Sequence, residues 1–109
     1  MSLAYKVLGQ SNPSAVTATT LYTCPAQTST VVSSIVVANQ GGSSGTYRIA
    51  VRPNAETLAA KHYIAFDRTI GANVTETHTL GITVDAADVV TVYASSATMS
   101  FNAFGVEIQ

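Results

Sequence analysis

A chain of 109 residues with five basic and six acidic side chains, formal charge −1, is long enough to bury a core without staples and predicts one domain over residues 1–109. Only 10% of it is charged against 47% hydrophobic, where a charged share of about a quarter is usual. There is therefore no basic footprint for nucleic acid, and a surface of hydroxyls and methyls predicts cover by copies of the chain or by a partner. The lone cysteine, Cys24, rules out an intrachain disulfide and points to folding in a reducing compartment. No apolar run reaches the roughly 20 residues of a membrane span, and the N-terminus lacks the pattern of a signal peptide.

In chain order, Met1-Ser2-Leu3 reads partly as a cloning scar. Ala4 to Leu8 is a short apolar-polar run ended by Gly9, suited either to an edge strand or to reaching out to a neighbour. Gln10 to Thr20, rich in Ser, Thr, Asn and Pro, predicts a surface loop. Leu21 to Cys24 is a brief strand stopped by Pro25. The strongest pattern runs from Thr28 to Pro53: an arm dense in β-branched residues (Val31, Val32, Ile35, Val36, Val37), a glycine-serine stretch, and an arm that alternates Tyr47, Ile49, Val51 against Arg48, Ala50, Arg52. This reads as a β-hairpin with one buried face. The only helical character expected is a turn within Ala55 to Lys61, with Asn54 as a possible cap.

Strand resumes at His62 to Phe66, ended by Asp67-Arg68 and the turn Gly71-Ala72-Asn73. Val74 to Val84 alternates again, interrupted at Gly81. After the turn Asp85-Ala86-Ala87-Asp88, two runs, Val89 to Ala94 and Met99 to Ile108, are expected to pair around Ser95 to Thr98. About eight short strands and no long helix predict an all-β fold: one antiparallel β-sandwich, Ig-like or jelly-roll-like. The expected core is Ile35, Val37, Tyr47, Ile49, Val51, Ile64, Phe66, Leu80, Val90, Val92 and Phe101.

No residue set carries chemistry on these patterns. His62 and Asp67 lie five apart, on opposite faces of a strand. Glu76 and His78 share a face, but two ligands do not make a metal site, so a solvated face is the plainer reading. The Asp85 to Asp88 turn lacks the oxygen-rich spacing of a calcium loop. Gly41 to Gly45 is followed by no helix and no Lys-Ser/Thr pair, which leaves a hairpin tip rather than a phosphate loop. Asn73-Val74-Thr75 is a glycosylation acceptor only in a secretory setting, and Cys24 reads as a small buried hydrophobe. No catalytic, cofactor-binding or metal-binding residue is assigned.

The segments LYTCPAQTSTVVSSIVVANQGGSSGTYRIAV, KHYIAFD and DVVTVYASSATMSFNAFGVEI, spanning Leu21 to Ile108, resemble a class of small virion-associated proteins encoded among the structural genes of tailed bacteriophages. Cys24 stands where that pattern usually has an aliphatic residue. The resemblance implies a β-sandwich module for decoration, cementing or tail and baseplate attachment. It implies no enzymatic activity and no cofactor, with synthesis in the bacterial host cytoplasm and residence in the virion. The expected partners are other phage virion proteins and the chain itself, a trimer being the expected homo-oligomer; neither nucleic acid nor membrane is among them. Tyr5, Val7, Phe104, Val106 and Ile108, at the apolar chain ends, and Arg48 and Arg52, on the outward face of their strand, are the candidate interface. The alternative is a β-sandwich module whose loops bind a carbohydrate or host-surface ligand, against which stands the absence of Trp and the placing of most Tyr and Phe within strands.

Overall fold

A computed structural model describes all 109 residues. It contains nine strands: β1 Leu3–Ser11, β2 Thr19–Thr23, β3 Ser29–Asn39, β4 Gly45–Arg52, β5 Tyr63–Ile70, β6 Thr75–His78, β7 Ile82–Asp85, β8 Val89–Ala94 and β9 Met99–Ile108. The only helical pieces are two single 3-10 turns, Pro53–Ala55 and Ala60–His62. Asn54 caps neither, taking a left-handed φ of 52° inside the first.

All pairings are antiparallel. Sheet 1 runs β1-β9-β3-β6, with β7 also on β3; sheet 2 runs β2-β8-β4-β5. The two sheets pack face to face over a core that includes Val32, Ile35, Val37, Tyr47, Ile49, Val90, Val92 and Phe101. β6 and β7 count as one strand interrupted at Thr79 to Gly81, since both pair with β3. The pairing is then nested: first with last, second with second-to-last, third with the interrupted strand, and β4 with β5. That is the connectivity of a jelly roll, a long hairpin rolled into two sheets, and it excludes the Ig-like alternative.

The nesting overturns two expected pairings. β3 and β4 are not a hairpin: they lie in opposite sheets, as do β8 and β9. Either arrangement turns the same alternate residues toward a core, so the patterns match both. What sets the arch is Asn39, which is buried. Its Nδ2 donates to the carbonyls of Ser43 (2.9 Å) and Gly71 (3.1 Å), and its Oδ1 accepts from Gly41 N–H and Thr98 Oγ1. One amide thus satisfies backbone groups of two connections and the Thr98 hydroxyl of a third at that end. The glycine-serine stretch is a clamped crossing between sheets rather than a hairpin tip.

The expected core needs three corrections. Ile64 and Phe66 are 42% and 57% exposed, because β5 carries two register shifts against β4, with Asp67 in a left-handed conformation at one of them. Each extra residue moves the alternation to the other face, so Ala65 packs inward. Asp67 and Arg68 do not end the strand, which continues to a fully buried Ile70. Leu80 is 58% exposed, carried out of the ladder in the interruption next to Gly81, whose φ is +61°. At the N-terminus, strand runs past Gly9 to Ser11, so the predicted loop shrinks from residues 10–20 to 12–18. Gly9 is kept small because a Cβ there would run into the Leu21 carbonyl of β2.

Candidate interaction surfaces

Five of the seven candidate interface residues fall on one surface. On the outer face of sheet 1, Tyr5 stands opposite Val106, Val7 opposite Phe104 and Leu3 opposite Ile108, with Val31 beside Val106 on β3. Their neighbours on that face are Ser29, Ser33, Ser100, Thr77 and Thr83. Asp85 is its one charged strand residue, because Lys6, Glu76 and Glu107 all turn inward. Tyr5 is 79% exposed. Phe104 to Ile108 is not an edge, however: β9 lies between β1 and β3. The apolar residues at the C-terminal end are exposed through their face alone, and of the two terminal strands only β1 offers a free backbone.

Arg48 and Arg52 lie on the opposite side of the molecule, on the outer face of sheet 2, and are not part of the same surface. Arg52 is bound into its own chain, its guanidinium donating to the Glu56 and Ala55 carbonyls and to Thr91 Oγ1. Arg48 forms a forked pair with Asp67, Nε to Oδ1 at 2.7 Å and Nη2 to Oδ2 at 3.3 Å. Its guanidinium carbon sits 4.2 Å from the Phe66 ring centre and 4.3 Å from that of Tyr93. Tyr63 meets Phe66 edge to face at 4.9 Å, and Leu58, Ala59 and Ala60 wall the groove beside them. A planar cation between aromatic faces is held by their quadrupoles as well as by its carboxylate. Sequence reasoning missed this aromatic group, because the β5 bulges that bring Phe66 outward leave no mark in the alternation.

Two inward-facing polar groups sit at the open margins of the sandwich. Glu76 and His78 are not on a solvated face, which belongs to Thr75 and Thr77. Both reach the hydroxyl of Tyr47 at 2.6 Å, and Arg68 donates to the same Glu76 oxygen. Tyr47 O–H has one proton for two partners, so donation to Glu76 leaves the phenol oxygen to accept from His78 Nε2–H. The Tyr47 hydrogen bond, with Arg68 behind it, holds the Glu76 carboxyl below its ordinary range despite partial burial. At the other end Tyr22 donates to Glu107 Oε2 at 2.6 Å, Lys6 donates to Oε1 at 2.9 Å, and Thr30 Oγ1 lies 2.8 Å from the Tyr22 oxygen. Cys24 is buried beside them, its Sγ 3.3 Å from Thr30 Oγ1.

Neither group assembles a nucleophile, base and orienting partner around an open space. His62 and Asp67 are kept apart. The His62 ring is buried, accepting Ala59 N–H at Nδ1 and donating from Nε2 to Glu56, while Asp67 serves Arg48. Asp85 and Asp88 close their own turn, with Asp88 accepting the amides of Asp85 and Asn54. Every buried side-chain nitrogen and oxygen has a partner. The two inward groups tie the sheets together, the other polar side chains are bound within their own turns and sheets, and the unpartnered features are the outer faces and the sheet edges, of which β1 is the longest. No protein-family model matches the sequence, and no curated protein is significantly similar to it.

Proposed function

We propose that the chain is a non-enzymatic structural protein of a bacteriophage virion that packs against copies of itself and against neighbouring capsid or tail proteins. The observation that carries the packing role is the outer face of sheet 1. Four rows of strand, β6 and β7 sharing one, cover about 600 Å² at ordinary spacing and rise, near the lower end of what one partner contributes to a specific interface, and Tyr5, Val7, Phe104, Val106 and Ile108 form an apolar patch along its β1 side with hydroxyls beyond it. The resemblance of Leu21 to Ile108 to virion-associated proteins supplies the setting. Jelly-roll connectivity, common among capsid domains, supports it by analogy of fold alone.

Light scattering on the purified chain between about 1 and 100 µM, a range that spans ordinary assembly affinities, tests self-assembly. A mass above the monomer is expected, and a monomer throughout refutes it. Detection of the chain in purified virions by mass spectrometry tests the setting.

The carbohydrate-binding alternative gains one observation. Phe66 is exposed beside the half-buried Tyr63 and Tyr93 on a sheet face rather than on a loop, and aromatic faces attract the polarised C–H edges of a sugar ring. Binding of a soluble glycan that is lost in Phe66→Ala, with the fold intact, would establish this reading.

A further inference from the structure

We infer that the β1 edge, over Leu3 to Val7, pairs antiparallel with the same edge of a second copy, joining two five-stranded sheets into one across a two-fold axis centred on Tyr5. The inference rests on the self-assembly proposed above and names its partner and register.

The direction of the free backbone groups follows from the closing pair of the ladder. Ser2 N–H donates to the Gln109 carbonyl at 2.8 Å, and Gln109 N–H donates to the Ser2 carbonyl at 2.9 Å. Ser2 and Gln109 are thus a doubly bonded pair, and the register runs unbroken from there to Val7 opposite Phe104. In an antiparallel ladder such pairs alternate with unbonded ones. Ser2, Ala4 and Lys6 therefore spend their amides and carbonyls on β9, while those of Leu3, Tyr5 and Val7 point away from the sheet. Three donors and three acceptors lie in a row at a free edge.

That row is complementary to itself. Turned about Tyr5, it places Tyr5 opposite Tyr5 and Leu3 opposite Val7 of the copy, and all six groups find partners in six hydrogen bonds. The same operation brings Leu3, Tyr5 and Val7 beside their images on the outer face, so the apolar surface becomes continuous across the junction. Lys6, the one charge in the stretch, falls opposite Ala4 of the copy rather than opposite itself. Its ammonium is turned back onto Glu107 at 2.9 Å and so does not guard the edge as an inward lysine can.

The remaining edges are protected. β2 has five residues with a bulge between Thr20 and Tyr22. β5 is broken by two register shifts. β6 and β7 have four residues each, on either side of the interruption at Gly81. A closed three-fold ring would need one of these to accept β1, and none presents a matching run. A self-complementary edge makes a two-fold dimer, in place of the trimer expected from the sequence.

Cysteine cross-linking reads the register. In a bonded antiparallel pair the Cα atoms are about 5.5 Å apart, within disulfide reach, so Tyr5→Cys should cross-link to dimer under mild oxidation, Cys24 being buried. Val7→Cys should not, because its image lies about 13 Å away along the strand. Tyr5→Pro removes the ring together with the outward donor, a change an edge strand tolerates, and Tyr5→Ala removes the ring alone. Tyr5→Pro should leave the circular dichroism unchanged and raise the dimer dissociation constant about 30-fold above that of Tyr5→Ala for two lost bonds. An assembly that neither cross-links through Tyr5→Cys nor weakens more in Tyr5→Pro than in Tyr5→Ala, or one of trimeric mass, overturns the edge pairing while leaving self-assembly standing. A chain that stays monomeric up to about 100 µM, at the weak end of specific association, overturns both.

Discussion

The Tyr22 to Glu107 bond gives the sharpest test of how the two sheets are tied. Tyr22 belongs to β2 in sheet 2 and Glu107 to β9 in sheet 1, so the 2.6 Å contact spans the sandwich. Glu107 is only 6% exposed. Tyr22→Phe keeps the ring and deletes the donor. A hydrogen bond to a charged group contributes about 1.5–3 kcal/mol, and the remaining Lys6 contact keeps the carboxylate from being orphaned, so the expected loss at pH 7 is about 1–3 kcal/mol. The loss should depend on pH. The Tyr22 bond, followed by that of Lys6, pulls the Glu107 carboxyl below its usual value of 4.5, against the opposing effect of burial. A carboxyl depressed in the folded state stabilises above its unfolded value, and that contribution disappears as the pH falls through the lower folded value. The variant has lost the largest cause of the depression and has less to lose in acid. The difference between wild type and Tyr22→Phe should therefore be full at pH 7 and shrink below about pH 4.5. The other depressed carboxyls, Glu56 and Glu76, titrate in both proteins and cancel. Urea unfolding followed by far-ultraviolet circular dichroism at pH 7, 4 and 3 provides the measurement. A difference near zero at pH 7 would mean that the bond does not hold the sheets. A difference that stays constant into acid would mean that the hydroxyl acts without the carboxylate.

Ile49→Ala, at a fully buried position of β4, should cost about 2–5 kcal/mol, whereas Phe66→Ala should cost under about 1 kcal/mol because only contacts to Arg48 and Tyr63 are lost; equal losses would place β5 in the wrong register. Tyr47→Phe should destabilise by about 1–3 kcal/mol at pH 7 by depriving Glu76 and His78 of their shared partner, and a neutral result would refute the Tyr47 tie between sheets. Purified protein is expected to retain no stoichiometric metal by elemental analysis, and bound zinc or calcium that disappears in His78→Ala or Asp85→Ala would contradict the assignment of these side chains to structural bonds.

The strands were legible because alternation reports the facing of a side chain, and that survives any topology: Ile35, Val37, Tyr47, Ile49, Val90, Val92 and Phe101 are buried as their patterns require. What alternation cannot carry is the identity of the neighbour. A run followed by a short polar stretch and another run fits a hairpin and an arch equally well, and Asn39, whose amide closes the arch, looks in sequence like an ordinary residue before a loop. Bulges are hidden for the same reason. The extra residues of β5 cost one φ of 51° at Asp67 and exchange Ala65 for Ile64 and Phe66 at the core, against the hydrophobicity of all three. The compensation lies in the Arg48, Tyr63 and Tyr93 surface that receives Phe66, a contact no periodicity announces.

The interface shows the same limit from the other side. Tyr5, Val7, Phe104, Val106 and Ile108 could be named from their apolar character near the chain ends, and they do share a face. Whether they form a face or an edge is decided by β9 lying second in its sheet, which makes Phe104 to Ile108 unavailable for strand addition and leaves β1 alone to offer it. The low charge then acquires a place in the structure. Of eleven charged residues in the chain, Lys6 and Glu107 neutralise each other beside β1, Arg48 and Asp67 do so on the far sheet, and the outer face of sheet 1 keeps only Asp85 among its strands. Charge is most sparse where the free backbone and the apolar face adjoin. An edge and a face exposed together cost more in water than either alone, and one two-fold contact at β1 would cover the edge while making the apolar stripes of the two copies continuous.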